Sequence, residues 1–153
     1  MRWKALVTVL AIAAAVGGCQ QVKMDVPSSF VSVGKDNLGP YDQRAVSADG
    51  VVLACRTQDN AKHATLEFWA KAIKNELAGK PGYSLTSDDS AHSYAGVEGR
   101  LLVFSATRRG AAFTYMLGVF VKGDRVILTE AGGRAEAVKP LNTDLKAAML
   151  SVR

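Results

Sequence analysis

Apolar residues change their period along this chain, and each change marks an element. Arg44-Ala45-Val46-Ser47-Ala48 and Val51-Val52-Leu53-Ala54-Cys55-Arg56 flank Asp49-Gly50. Such a pair supplies the positive φ of a two-residue turn, so two hairpin strands are expected. After a polar stretch, Leu66, Trp69, Ile73 and Leu77 recur at spacings of three and four, which places them on one helical face. Phe68 and Ala72 widen that stripe, while Glu67, Lys71, Lys74 and Asn75 fill the other side. Asp59 or Asn60 is placed to cap the helix start, and Gly79 followed by Pro81 to end it.

Beyond Gly82 the period shortens to two. Residues 83–86 read as a strand, Ser87-Asp88-Asp89-Ser90 as a turn, and residues 92–95 as a further short strand. Three longer strands follow over 100–107, 111–121 and 125–131, separated by Arg108-Arg109-Gly110 and Lys122-Gly123-Asp124 and closed by a turn at Gly132-Gly133. Such short Gly-bearing links predict an antiparallel meander. The strand over 111–121 is apolar on both alternating sets, Phe113, Tyr115, Leu117 and Val119 against Met116 and Phe120, so a strand covered on both faces is expected. Gly118 within it implies a bulge or a close approach of another element. Leu141, Leu145, Ala148, Met149 and Val152 then predict a closing helix, with Pro140 in its first turn.

The segment before the hairpin is punctuated by Pro27, Ser28, Ser29, Gly34, Asn37, Gly39 and Pro40. Residues 19–43 therefore read as a tether and irregular lead-in, with a short edge strand at Phe30-Val31-Ser32-Val33, and 44–153 as one α+β domain. At 48% hydrophobic and 22% charged residues, the composition is that of a globular chain, not a disordered one.

The first residues have a different character. Arg2 and Lys4 precede an apolar run from 5 to 16 in which Thr8 is the only polar residue. A basic start, a short apolar run and small residues after it make a secretory signal over 1–18. The run falls short of the roughly 20 apolar residues that span a bilayer. Val16-Gly17-Gly18-Cys19 resembles the lipobox of bacterial lipoproteins, which implies a diacylated Cys19 as the mature N-terminus and membrane attachment through that lipid. Gln20, in place of Asp, implies outer-membrane sorting and a periplasmic domain by similarity to enterobacterial lipoproteins. Loss of Arg2 and Lys4 with the leader reduces the net charge of +5 to a mild excess, too weak and scattered for a nucleic-acid binder. With Cys19 acylated, Cys55 is the only thiol left in an oxidising compartment, so no intramolecular disulfide is expected. Its apolar surroundings suit a buried small hydrophobe; an intermolecular disulfide or a reactive thiol is the alternative.

The order of hairpin, helix, meander and terminal helix resembles the α-β-α sandwich family of the photosystem extrinsic protein PsbP and the bacterial lipoprotein DcrB. The resemblance is carried by Ala48-Asp49-Gly50, the helix over 66–77, Gly96-Val97-Glu98-Gly99 before a strand, and Thr129-Glu130-Ala131-Gly132. It implies an antiparallel sheet of about five to seven strands flanked by two main helices. It also implies a scaffold for protein binding, with no shared catalytic residues and no cofactor.

Candidate chemistry is sparse. Asp88, Asp89 and His92 are the one cluster with acid–base or metal-binding residue types, but consecutive Asp and Ser residues also serve a plain turn. His63 has no partner nearby in sequence, and no nucleophile elbow or phosphate-cradling loop is present. Glu130 stands among Ile127, Leu128, Thr129 and Ala131, where a carboxylate is costly unless paired. It is either a structural partner of Arg100, Arg134 or a backbone N–H, or a polar anchor for a ligand beside the sheet. Arg108 and Arg109, with Arg56 and Arg100 nearby, make either solvated turn charges or a docking point for an acidic partner or lipid phosphate. The expected function is a non-enzymatic, lipid-anchored envelope protein that binds a protein partner. A lipid or small-molecule carrier, with a cavity lined by Trp69, Phe113 and Met116, is the first alternative; a hydrolase using Asp88, Asp89 and His92 is the second.

Overall fold

The computed structural model describes residues 21–153; the leader, Cys19 and Gln20 lie outside the described residues. Seven antiparallel strands form one sheet: β1 (Phe30–Ser32), β2 (Gln43–Ser47), β3 (Val52–Asp59), β4 (Tyr83–His92), β5 (Glu98–Arg108), β6 (Ala111–Lys122) and β7 (Arg125–Arg134). Their order across the sheet is β1-β2-β3-β7-β6-β5-β4. The 13-residue helix α1 (Leu66–Ala78) covers one face; the short α2 (Ala135–Val138) and α3 (Asn142–Leu150) cover the other. This is the α-β-α layering that the family resemblance implies.

Alternation divides the core into two layers. Leu117, Val119, Val126 and Leu128 pack under Ile73 and Leu77 of α1. Leu53, Met116, Phe120 and Ile127 pack under Leu145 and Met149 of α3. β6 contributes to both layers, as expected of a strand covered on both faces. Gly118 forms no bulge, since β6 keeps register on both sides. It allows a close approach instead: a Cβ there would lie 2.3 Å from Thr129 Oγ1 and 3.0 Å from the Phe120 ring.

Several local expectations change. Ser87-Asp88-Asp89-Ser90 is not a turn: β4 runs through it, with an irregularity in pairing between Leu85 and Ser87. The strand survives its polar sequence because it is a sheet edge, with one side of its backbone unpaired and many side chains in water. Gly132-Gly133 does not end β7, which continues to Arg134; their missing side chains let Tyr115 and Val51 come close. The closing helix starts where Pro140 places it, though its first turn, Lys139–Leu141, is 3-10 and α3 proper begins at Asn142; the four-residue α2 before it was not expected. α1 is capped by Thr65, whose hydroxyl accepts the Phe68 N–H at 3.2 Å. Asn60 instead accepts the Ala64 N–H and the Trp69 indole N–H, both at 3.0 Å, and donates to Gly123 O at 3.3 Å.

The lead-in belongs to the fold rather than to a tether. Val22 and Met24 are each only 4% exposed and sit in the α3-side core. The Lys23 N–H donates to Arg153 O and the Arg153 N–H to Lys23 O, both at 3.0 Å. Asp25 N–H donates to Ser151 Oγ at 2.8 Å, and the Met24 N–H to Gln43 Oε1 at 2.6 Å. The folded unit thus begins well before residue 44. The Pro and Gly punctuation marks turns inside it, not a linker.

Candidate functional site

On the face that carries α1, the helix covers β4–β6 and residues 126–128 of β7, and leaves β2, β3 and residues 130–132 of β7 to the chain before β2. Residues 37–41 cross there, turned by Gly39 at φ +61 and held by the Tyr41 N–H donating to Leu38 O at 3.3 Å. Between this crossing and the sheet lies a cleft of about 170 Å³. It is open because the positions beside Glu130 on that face are small: Ala54 is its register partner on β3, and Gly132 is two residues along β7.

Glu130 forms part of the cleft lining and is itself 6% exposed. The Tyr41 hydroxyl donates to its Oε2 at 2.7 Å. Arg56 approaches Oε1 through Nε at 3.7 Å, an ion pair too long for a hydrogen bond. That Nε has no hydrogen-bond partner among the described residues. Burial pushes the Glu130 carboxyl above its ordinary value of 4.5, partly offset by the Tyr41 hydrogen bond, the Arg56 charge and the Tyr115 hydroxyl. The same burial, with the Glu130 charge beside them, raises the Tyr41 and Tyr115 hydroxyls well above 10, so both remain donors at neutral pH. Arg44 stands at the cleft wall. The site can therefore bind a group that offers hydrogen-bond donors or positive charge to a desolvated carboxylate, and its lining contains no Ser, Cys or His.

Of the sequence candidates, Glu130 is placed at a cleft, but with other partners than expected. Arg134 pairs with Glu136 at 3.7 Å, and Arg100 donates to Asp88 at 2.6 Å. Arg56 reaches Glu130 because it lies diagonally across from it on the neighbouring strand and on the same face. Tyr115 was foreseeable by the same logic, sharing a face with Leu117, the β6 register partner of Glu130. Tyr41 carried no periodic signal.

The other groupings separate. Arg108 stacks its guanidinium 5.8 Å over the Tyr83 ring, and Arg109 occupies the β5–β6 turn with Gly110, at φ +49 and +75. Arg56 and Arg100 are paired with acids elsewhere on the sheet, so no four-arginine patch forms. Strand alternation points Asp88 and Asp89 to opposite faces, which breaks up the expected Asp88–Asp89–His92 grouping. Burial raises the Asp88 carboxyl, but Lys74 at 2.6 Å and Arg100 outweigh it and hold it below 3.8. Among the described residues no group of three His, Cys, Asp or Glu is placed to hold a metal ion. The cavity expected between Trp69, Phe113 and Met116 is absent, because Met116 faces α3 while Trp69 and Phe113 pack on the α1 side.

No protein-family model matches the sequence, and no curated protein sequence matches it. Solved structures do. LpqN of Mycobacterium tuberculosis, involved in cell envelope biogenesis, superposes with a TM-score of 0.67 at 17% identity, covering 86% of this chain and 81% of that one. Cyanobacterial PsbP (CyanoP) from Synechocystis sp. PCC 6803 gives 0.59 at 12% identity, covering 92% and 97%. PA94 of Pseudomonas aeruginosa, a protein of unknown function described as a putative regulator, gives 0.53 at 16% identity, covering 82% and 83%. The chain has the PsbP-like fold, and among its structural neighbours is a protein of cell envelope biogenesis. Among the described residues no helix is long and apolar enough to cross a membrane.

Proposed function

We propose that this chain is a non-catalytic, lipid-anchored module of the cell envelope. In this reading Cys19 holds it in the outer membrane, and it binds a protein partner through the cleft over Glu130. The envelope address rests on the leader and lipobox pattern and on the likeness to LpqN. The observation that carries the binding mode is the cleft itself. At about 170 Å³ it falls below the roughly 300–1,000 Å³ typical of metabolite pockets, yet its lining includes a desolvated carboxylate. Such a site suits one inserted side chain of a partner loop, with Lys or Arg the complement to Glu130.

Photo-crosslinkers placed at Arg44 and at Arg109 in the full lipoprotein, in cells, test this. A protein captured from Arg44, and lost in Glu130→Gln, supports the reading. Capture from Arg109 alone moves the interface to the arginine tip. No captured protein, with a lipid or metabolite retained by the purified chain in native mass spectrometry, overturns it in favour of a carrier.

A further inference from the structure

The chain enters its fold beside its last residues, and this end of the molecule differs from the rest. Around the Lys23–Arg153 pairing lies an open depression of about 530 Å³. Val97, Ile127 and Val152 give it apolar lining; Lys23, Lys122, Arg125 and Arg153 contribute all of its charged side chains. Asp25 pairs with Arg153 at 2.8 Å, and Asp59 is the register partner of Arg125. Lys23 and Lys122 carry no ion pair among the described residues. Tyr94, next to the lining residue Ala95, is 68% exposed, an aromatic side chain of the kind that favours a membrane–water interface.

Covalent reach ties this surface to a bilayer. Val22 is in the core, and Cys19 precedes it by three residues, a span of at most about 11 Å. An acylated Cys19 therefore leaves no length for the domain to swing free. It holds the Lys23 end at the headgroups, close to the roughly 8 Å over which charges act at physiological salt. We propose that this depression docks anionic phospholipid headgroups of the bilayer in which Cys19 is anchored, fixing the domain upright with the β6–β7 turn against the membrane. The proposal rests on the lipid-anchor reading above.

The test uses the full lipoprotein, purified from cells and placed in nanodiscs of phosphatidylcholine alone or with roughly a third phosphatidylglycerol. The intact mass reports acylation of Cys19, and hydrogen–deuterium exchange reports residues 94–97 and 122–125. Each cation near an anionic surface is worth about fivefold in binding, so exchange in both segments is expected to slow at least about fivefold on the anionic discs. High salt is expected to remove that slowing. Reversal of both free charges, Lys23→Glu with Lys122→Glu, is expected to abolish it. Lys122→Gln alone, on an exposed turn, repeats the loss in part should the double reversal disturb the Lys23 pairing. Absent acylation overturns the anchor and the docking together; acylated protein with equal exchange on both discs overturns the docking alone.

Discussion

The Tyr41→Phe substitution isolates the contact that holds the chain crossing to the cleft floor. It deletes one hydroxyl and leaves the ring and the Tyr41 backbone bond to Leu38 O in place. The lost bond is 2.7 Å long and goes to a carboxylate that is 6% exposed. Its worth depends on the charge of Glu130. A neutral hydrogen bond contributes about 0.5–1.5 kcal/mol net, and one to a charged group about 1.5–3 kcal/mol. Arg56 at 3.7 Å, with no hydrogen bond through Nε, is poorly placed to compensate. The sign of the pH dependence follows from linkage. Glu130 already titrates above its unfolded value of 4.5, so its folded form retains protons that the unfolded chain releases, and stability drops as pH rises through that window. Tyr41 opposes this shift, and removing it raises the folded carboxyl further. The variant should therefore trail the wild type by about 1 kcal/mol at pH 4 and by about 2–3 kcal/mol once Glu130 is ionised in the wild type. Urea unfolding of both proteins from pH 4 to 8 measures the gap. A gap that is constant or narrows with pH refutes the assignment of this hydrogen bond to the charged carboxylate.

Three further outcomes follow from the packing. Gly118→Ala places a methyl 2.3 Å from Thr129 Oγ1 and should cost about 1–3 kcal/mol in urea unfolding. Thr129→Ala in the same chain should recover most of that, because among the described residues the Thr129 hydroxyl has no hydrogen-bond partner to lose. Arg109→Asn should stabilise the protein by up to about 1 kcal/mol, since Arg109 holds a left-handed φ of 49 that Asn tolerates better; an unchanged melting temperature would contradict it. Cys55 is buried, donates to Val22 O at 3.5 Å, and has its thiol pushed up to about 12, chiefly by burial. A thiol reagent at pH 8 should label it only after unfolding, and rapid labelling of the native protein would show that the Val22 segment opens.

The fold was legible where a local pattern carried its own physics. The hairpin forms where Asp49-Gly50 marks it, though as a three-residue loop over 48–50 and not a two-residue turn, with the Gly50 N–H donating to Ser47 O at 3.0 Å and Gly50 alone of the loop taking a positive φ, +77. The stripe from Leu66 to Leu77 leaves α1 only one way to bury itself. The pattern failed where position in the sheet decides. Ser87-Asp88-Asp89-Ser90 reads as a turn because its polar residues resemble turn chemistry, and only its place at an edge lets the strand begun at Tyr83 run on through it for ten residues. The site was half legible for the same reason. Glu130 is conspicuous as a carboxylate in an apolar run, and alternation puts Tyr115 on its face. Arg56 became its partner only once β3 and β7 were known to be neighbours, a pairing that spans more than seventy residues of chain. Tyr41 lies in a stretch whose glycines and prolines suggest a linker; its own backbone bond is local, to Leu38 O, while Lys23 and Asp42 in the same stretch bond to other segments at Arg153 and Cys55.

Those segments also give the molecule two distinct ends. The β6–β7 turn, Lys23 and Arg153 lie at one end of the long strands; the Asp49-Gly50 and Arg109-Gly110 turns lie at the other, roughly 35 Å away along β6 at about 3.3 Å per residue. The cleft belongs to the second half, since Val52, Tyr115 and Gly132 share one row of the sheet near that end. A domain held by its Lys23 end would thus present the Glu130 cleft and the arginine tip away from the bilayer, where a partner can reach both. Lengthening the chain between Cys19 and Val22 by a flexible linker of ten or so residues separates anchoring from orientation. Membrane attachment should persist, while exchange protection at residues 122–125 on anionic discs should fall toward the level seen on neutral ones. Protection that survives the longer linker would mean that headgroup contact alone orients the domain. Loss of partner capture from Arg44 in the same variant would mean that the upright pose matters to binding.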